Sequence, residues 1–196
     1  MTARVDPLPP GRWPKEMRAA LAAMTPPEPL HPGPVGEGRP KALNTLGTFA
    51  HHPALAHAFF TFNGHVMRAT TLTARHREMI VLRASALLDC PYEWAQHVVQ
   101  AHDAGLTDGD IARVAFGPGA PFWDPPDAAL LRAVDELVTE DVISAATWGD
   151  LSKEFDTRQL LDLIFTVGAY QTLAWVLRSF ELELDDDLRP DPAGSG

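Results

Sequence analysis

An all-α fold is predicted by three observations on this 196-residue chain. Apolar residues recur at helical spacing along most of its length, helix-capping residues stand where those runs begin, and no stretch alternates apolar and polar residues as a half-buried strand would. The absence of a strand pattern makes the class all-α by elimination as well as by periodicity.

Taken in order, residues 1–14 are rich in proline and predict irregular chain, whereas Lys15 to Met24, KEMRAALAAM, is a short run of good helix formers. Six prolines and three glycines between Pro26 and Pro40 exclude helix or ladder and predict an extended connection. From Lys41 to Met67 the residues Leu43, Leu46 and Phe49, then Leu55, Phe59, Phe60, Phe62 and Val66, give two helices with a corner at Pro53. Thr73 opens a helix from Ala74 to about Leu88. The next runs from Pro91 to Ala104, with Asp89 and Cys90 at its cap and Gly105 closing it, so the two form an antiparallel pair. Thr107 and Asp110 read as a capping box for a short helix through Ala115, and the loop Gly117 to Pro121 follows. Pro125 and Pro126 start a helix through Thr139, Ser144 to Phe155 forms another, and Asp156 with Gln159 caps a long apolar segment from Leu160 to Leu184. Laying Thr73-Ala-Arg75 on Asp156-Thr-Arg158 suggests duplicated helical hairpins. The chain thus divides into a proline-rich arm with a short helix (1–40), a helical domain (41–184) and an acidic, flexible tail (185–196).

Composition narrows the function. With 45% hydrophobic and 21% charged residues the chain reads as an ordinary globular protein. A net charge of −10 with scattered basic residues argues against nucleic acid or an anionic membrane as partner and for a small-molecule substrate. No stretch reads as the ~20 apolar residues that cross a bilayer, and MTARVDPLPPGRW lacks a signal peptide's apolar core, so a cytoplasmic location is expected. The single cysteine, Cys90, excludes an internal disulfide and any two-thiol cycle within one chain.

The densest chemistry lies in EMIVLRASALLDCPYEWAQH, Glu78 to His97. At ~100° per residue Cys90 and His97 fall within roughly 20° of each other and Glu93 about 40° from His97, so the three share a stripe. Glu78 would be carried inward among Met79, Ile80, Val81 and Leu82, where a buried carboxylate needs a partner. Cys90 at a helix start has either a lowered pKa and a reactive thiolate, or the role of a small buried hydrophobe. Glu93 between Tyr92 and Trp94 is either a carboxylic acid with a raised pKa, in a pocket whose wall includes those rings, or a surface pair with His97. His51 and His52 precede Pro53 at a helix corner, His57, His65, His76 and His102 have no obvious acid at helical spacing, and most of these read as surface or packing residues. No phosphate loop, dinucleotide fingerprint, GxSxG elbow or metal-ligand cluster is found, so no metal or organic cofactor is expected.

Glu78, Cys90 twelve residues on, His97 seven further and then AHDAGLTDGDI together resemble the carboxymuconolactone decarboxylase and alkyl hydroperoxidase D-like superfamily. That resemblance implies an alkyl hydroperoxidase D-like helical bundle assembled as a homo-oligomer, a trimer or hexamer, with Glu78 and His97 as a proton-relay pair and Tyr92 lining the pocket. In the peroxidase branch the glutamate precedes CxxCxxxH and two cysteines cycle. Here the string is CPYEWAQH, with Glu93 in place of the second cysteine, which disables a dithiol cycle. The decarboxylase branch works without that pair.

The leading expectation is therefore a cofactor-free lyase or isomerase acting on a small oxygenated acid or lactone. Glu78 and His97 are its acid and base, Glu93 sets the protonation of His97, and Tyr92 donates to developing negative charge. Two alternatives stay open: a one-cysteine peroxidase of peroxiredoxin type using Cys90, and a non-catalytic ligand-binding or assembly subunit.

Overall fold

The computed structural model describes residues 3–33 and 40–189. Among them are nine α-helices and no strand: α1 Met17–Ala22, α2 Leu43–Phe49, α3 Pro53–Gly64, α4 Ala74–Leu87, α5 Pro91–Asp103, α6 Asp108–Phe116, α7 Pro125–Thr139, α8 Ala145–Leu151 and α9 Thr157–Ser179. A π-helical turn, His65–Ala69, continues α3. Side-chain caps form at the starts of α4, α6, α8 and α9. Thr73 accepts from the His76 amide, Ser144 from Thr147, and Thr107/Asp110 and Asp156/Gln159 form complete capping boxes. These bonds satisfy backbone donors that would otherwise be orphaned at the helix starts.

The bundle is organised around α4, whose residues Arg77 to Ser85 are all buried. A helix buried on every side must be apolar all round. Met79, Ile80, Val81 and Leu82 meet that demand, and α5, α6, α7 and α9 surround them. The charges inserted into α4 are each answered. Arg83 pairs with Asp135 at 2.5 and 2.9 Å and donates to the Ala115 carbonyl at 2.7 Å, and Arg75 makes a two-pronged contact with Asp127 at 2.9 and 2.7 Å.

Asp89 sits in the left-handed region at φ 49° and ends α4, while the Cys90 amide donates back to the Ser85 carbonyl at 2.9 Å. This Schellman arrangement reverses the chain into Pro91 and sets α5 antiparallel to α4. Asp89 therefore closes α4, and Cys90 alone is the N-cap of α5, with no side-chain cap bond.

The arm packs onto the bundle. Met17 and Ala20 of α1 join Phe49, Ala50, Ala56 and Phe60 in one apolar cluster. A Cβ at Gly64 would stand 2.8 Å from the Met24 carbonyl oxygen, so only glycine lets α1 and α3 approach this closely.

Three expectations are corrected here. α9 ends at Ser179, not Leu184, and with a mean hydropathy of 1.5 it is long and apolar enough to cross a membrane by length and composition. In this fold Leu163, Val167, Tyr170, Ala174 and Leu177 of α9 are buried against the bundle, while Leu161, Phe165 and Trp175 lie exposed on its outer side. The first residues of the acidic tail are held, because Asp185 is buried and accepts from the Asn44 amide at 2.8 Å and Asp187 accepts from the Lys41 amide at 3.1 Å. Residues 190–196 of that tail lie outside the described residues. His65, His76 and His102 do have acids: Asp162 at 2.8 Å and Asp127 at 3.4 Å are reached across the fold, and Asp108 at 3.3 Å across the turn from α5 to α6.

Candidate active site

Glu78 points from α4 toward α5 with no solvent exposure, and its partners are an imidazole and a guanidinium. His97 Nδ1–H donates to Oε2 at 2.7 Å, and Arg77 donates to Oε1 through Nε at 2.9 Å, with a second guanidinium nitrogen at 2.8 Å. Arg77 also donates to the Met67 carbonyl at 2.8 Å, which ties this cluster to the π-helical turn. Burial pushes the Glu78 carboxyl upward, but His97 and Arg77 outweigh it and hold the group below the usual carboxylate range. Because Nδ1 faces a carboxylate, the neutral imidazole carries its proton there and presents a bare Nε2. Tyr170 of α9 packs edge-on against the ring, with centroids 4.9 Å apart at 87°, and its hydroxyl donates to the Met67 sulfur at 2.8 Å.

His97 opens onto a cavity of about 740 Å³, whose wall also includes Tyr92, Glu93, Gln96, Arg77 and Tyr170. This size is typical of small-molecule pockets, which run roughly 300–1,000 Å³. The rest of its wall is largely apolar, with Phe49, Phe59 and Phe60 supplied by α2 and α3 and Leu21 and Met24 by the arm.

Glu93 is 2% exposed and neither of its oxygens has a hydrogen-bond partner. Its neighbours Cys90 and Ser85 approach it without hydrogen-bond geometry, and the Ser85 hydroxyl is engaged with the Val81 carbonyl at 2.8 Å. Burial accordingly pushes the Glu93 carboxyl up to about 8, offset only in part by those neighbours. A raised acid is what the aromatic flanks suggested, but Glu93 does not bond His97. Glu78 orients the imidazole instead.

Three other expected site residues take different roles. Cys90 is buried with Tyr92, Ala174 and Leu177 and is absent from the cavity wall. Burial, reinforced by the Glu93 charge, pushes its thiol up to about 12, the reverse of the lowering expected at a helix start. Desolvation outweighs the helix dipole here. Trp94 packs half-buried against the central core and does not reach the cavity. Tyr92 does line the cavity, but its hydroxyl donates to Asp185 at 2.6 Å, so it is not free to donate to a ligand. The Gln96 amide donates to the same Asp185 oxygen at 3.3 Å.

Arg77 and Asp185 were missed by sequence reasoning. Adjacent residues on a helix do not share a face, so periodicity offers no signal for the Arg77–Glu78 pair. Asp185 is 93 residues from Tyr92 and reads as one more tail acid.

Residues 53–136 match the carboxymuconolactone decarboxylase family, and this segment contains Glu78, Cys90, Glu93 and His97. No curated protein matches the chain. Among solved structures, an uncharacterized peroxidase-related protein from Ralstonia eutropha JMP134, with an alkylhydroperoxidase AhpD core, superposes with a TM-score of 0.66 at 20% identity. That match covers 74% of this chain and 77% of the other. An uncharacterized peroxidase-related protein from Silicibacter sp. TM1040 gives 0.66 at 19%, covering 74% and 78%. The debrominase Bmp8 gives 0.72 at 13%, covering 94% of each chain. At these identities the likeness establishes a shared fold. Residues 53–136 thus carry a segment similar to the carboxymuconolactone decarboxylase family, set in an alkyl hydroperoxidase D-like fold.

Proposed function

We propose that this chain is a cofactor-free enzyme that moves protons on a small oxygenated acid or lactone, in an isomerisation or a decarboxylation. The family and fold support an enzyme-type role. The observation that carries the finer reading is His97: its Nδ1 is bound to buried Glu78 at 2.7 Å, and its other nitrogen, on the wall of a 740 Å³ cavity, has no partner among the described residues. A base needs an orienting acid behind it and a substrate in front.

In an isomerisation, His97 Nε2 takes a proton from a carbon beside a carbonyl, and the C–H electron pair moves onto that carbonyl oxygen as an enolate. The same proton returns to another carbon of the conjugated system. In a decarboxylation the bond to the carboxylate breaks, carbon dioxide leaves, the electron pair is held as the enolate, and the imidazolium form of His97 supplies the replacing proton. Glu78 stays ionised beside Arg77 and steadies that imidazolium. Glu93, which holds its proton up to about pH 8, donates to the enolate oxygen. That role passes to Glu93 from Tyr92, whose hydroxyl is bound to Asp185.

The test is solvent deuterium uptake, followed by proton NMR, into a panel of unsaturated lactones and oxo-acids. The wild-type protein accelerates exchange into at least one of them, and Glu78→Gln and His97→Ala each lower that rate by roughly 10²–10⁴-fold. Full rates in both variants would remove the assignment.

A further inference from the structure

Buried polar atoms without a protein partner are uncommon in a folded protein, and a cluster of them around one cavity points to a polar occupant. Five such side chains occur among the described residues: Thr45, Asn63, Arg68, His76 and Glu93. All but His76 line the same cavity. The unmatched atoms are Thr45 Oγ1, Asn63 Oδ1, Arg68 Nε and both oxygens of Glu93.

Arg68 is the exceptional member. Among the described residues it has no carboxylate partner, whereas Arg77, the other arginine on the cavity wall, is neutralised by Glu78. In a chain with a net charge of −10, a part-buried guanidinium left without an acid stands apart. Its position is also constructed. The π-helical turn carries it, and its carbonyl accepts from the Leu30 and His31 amides at 2.7 and 2.9 Å. Its Nη1 donates to Thr25 Oγ1 at 2.8 Å. A Cβ at Gly33 would lie 3.4 Å from the guanidinium carbon, so the arm runs close against the charged group. His31 fastens that arm by donating from Nε2 to the Thr70 carbonyl at 3.0 Å.

From this convergence we propose that the cavity takes a small organic carboxylate with an apolar or ring-shaped body. Its carboxylate rests on Arg68, its body lies among Phe49, Phe59 and Phe60, and an uncharged polar end faces Glu93, with Asn63 and Thr45 bonding along its length. A guanidinium is a planar fork matched to a carboxylate. One fork on a mostly apolar wall suits a monoanion better than a phosphate dianion, which calls for more donors. The proline-rich arm thereby gains a function: its residues Thr25, Leu30 and His31 hold the arginine that selects the substrate. This deepens the proposed function by naming its substrate class, and it rests on that reading for the reaction only. Arg68 is a specificity residue, not an acid or base.

The test reads binding, not turnover, by 19F NMR titration of the full-length protein with 4-fluorobenzoate and its uncharged counterpart 4-fluorobenzamide. Wild-type protein binds the acid at least roughly tenfold more tightly than the amide, as a charge-assisted hydrogen bond implies. Arg68→Gln abolishes that preference, and Arg68→Lys restores part of it. Equal binding of acid and amide by the wild type, or a preference that survives Arg68→Gln, overturns the proposal. Should Arg68→Gln fail to fold, the wild-type comparison together with Arg68→Lys decides the question, since a preference unaltered by lysine also overturns it. Carboxylate preference that persists in His97→Ala, in a protein showing no deuterium exchange, would keep this inference while removing the catalytic one.

Discussion

Glu93 carries the clearest pH signature in the molecule. Its folded value of about 8 lies above the ordinary glutamate value of 4.5, so the folded protein holds this proton more tightly than the unfolded chain does. The stabilisation is fully present below about pH 4.5 and is lost as pH rises through about 8, with a slope of up to roughly 1.4 kcal/mol per unit between them. Melting temperatures of wild type and Glu93→Gln therefore converge toward pH 4.5, and above pH 8 the glutamine variant melts higher. Activity follows the same proton: the wild-type rate declines above about pH 8 as the donor ionises, and Glu93→Gln, which keeps an N–H donor, loses that decline. At this scale the sequence was informative. Glu78 and His97, singled out by their spacing, bond to each other, and Glu93 is an acid raised by burial. The sequence left two readings open for Cys90, and burial, which it did not show, decides for the small buried hydrophobe.

Helix starts were legible because a cap is local: Thr73, Thr107, Ser144 and Asp156 stand within three residues of the groups they bond. Helix ends and the links between helices depend on partners distant in sequence. Gly117 ends α6 at φ 104°, and a Cβ there would lie 2.6 Å from an Arg83 guanidinium nitrogen. Arg83 reaches this point to join α4 to α6 and α7. Gly117→Ala meets both the backbone strain and the clash, and is expected to lower stability by about 2 kcal/mol, measured as a shifted urea midpoint with unchanged slope. The sequence marked Gly117 only as the beginning of a loop, since its reason is an arginine 34 positions earlier. The π-helical turn was likewise invisible, although it places Arg68 and Met67 on the cavity wall.

Across the whole molecule, the cavity is assembled from parts that looked separate in sequence: the arm, the corner helices α2 and α3, the site helix α5 and the core helix α9. The start of the acidic tail braces it from outside, through Asp185 on Tyr92, Gln96 and Asn44. Asp185→Ala leaves the buried Tyr92 hydroxyl with less support and is expected to cost roughly 1–3 kcal/mol. The check is a lower melting temperature together with faster proteolysis near the C-terminal end. In the proposed function this scaffold works through protons and not through sulfur. The most direct measurement places Cys90→Ser and His97→Ala side by side in the deuterium-exchange assay. Cys90→Ser is expected to stay within about threefold of wild type while His97→Ala falls by roughly 10²-fold or more. A collapse in Cys90→Ser with His97→Ala unaffected would contradict it.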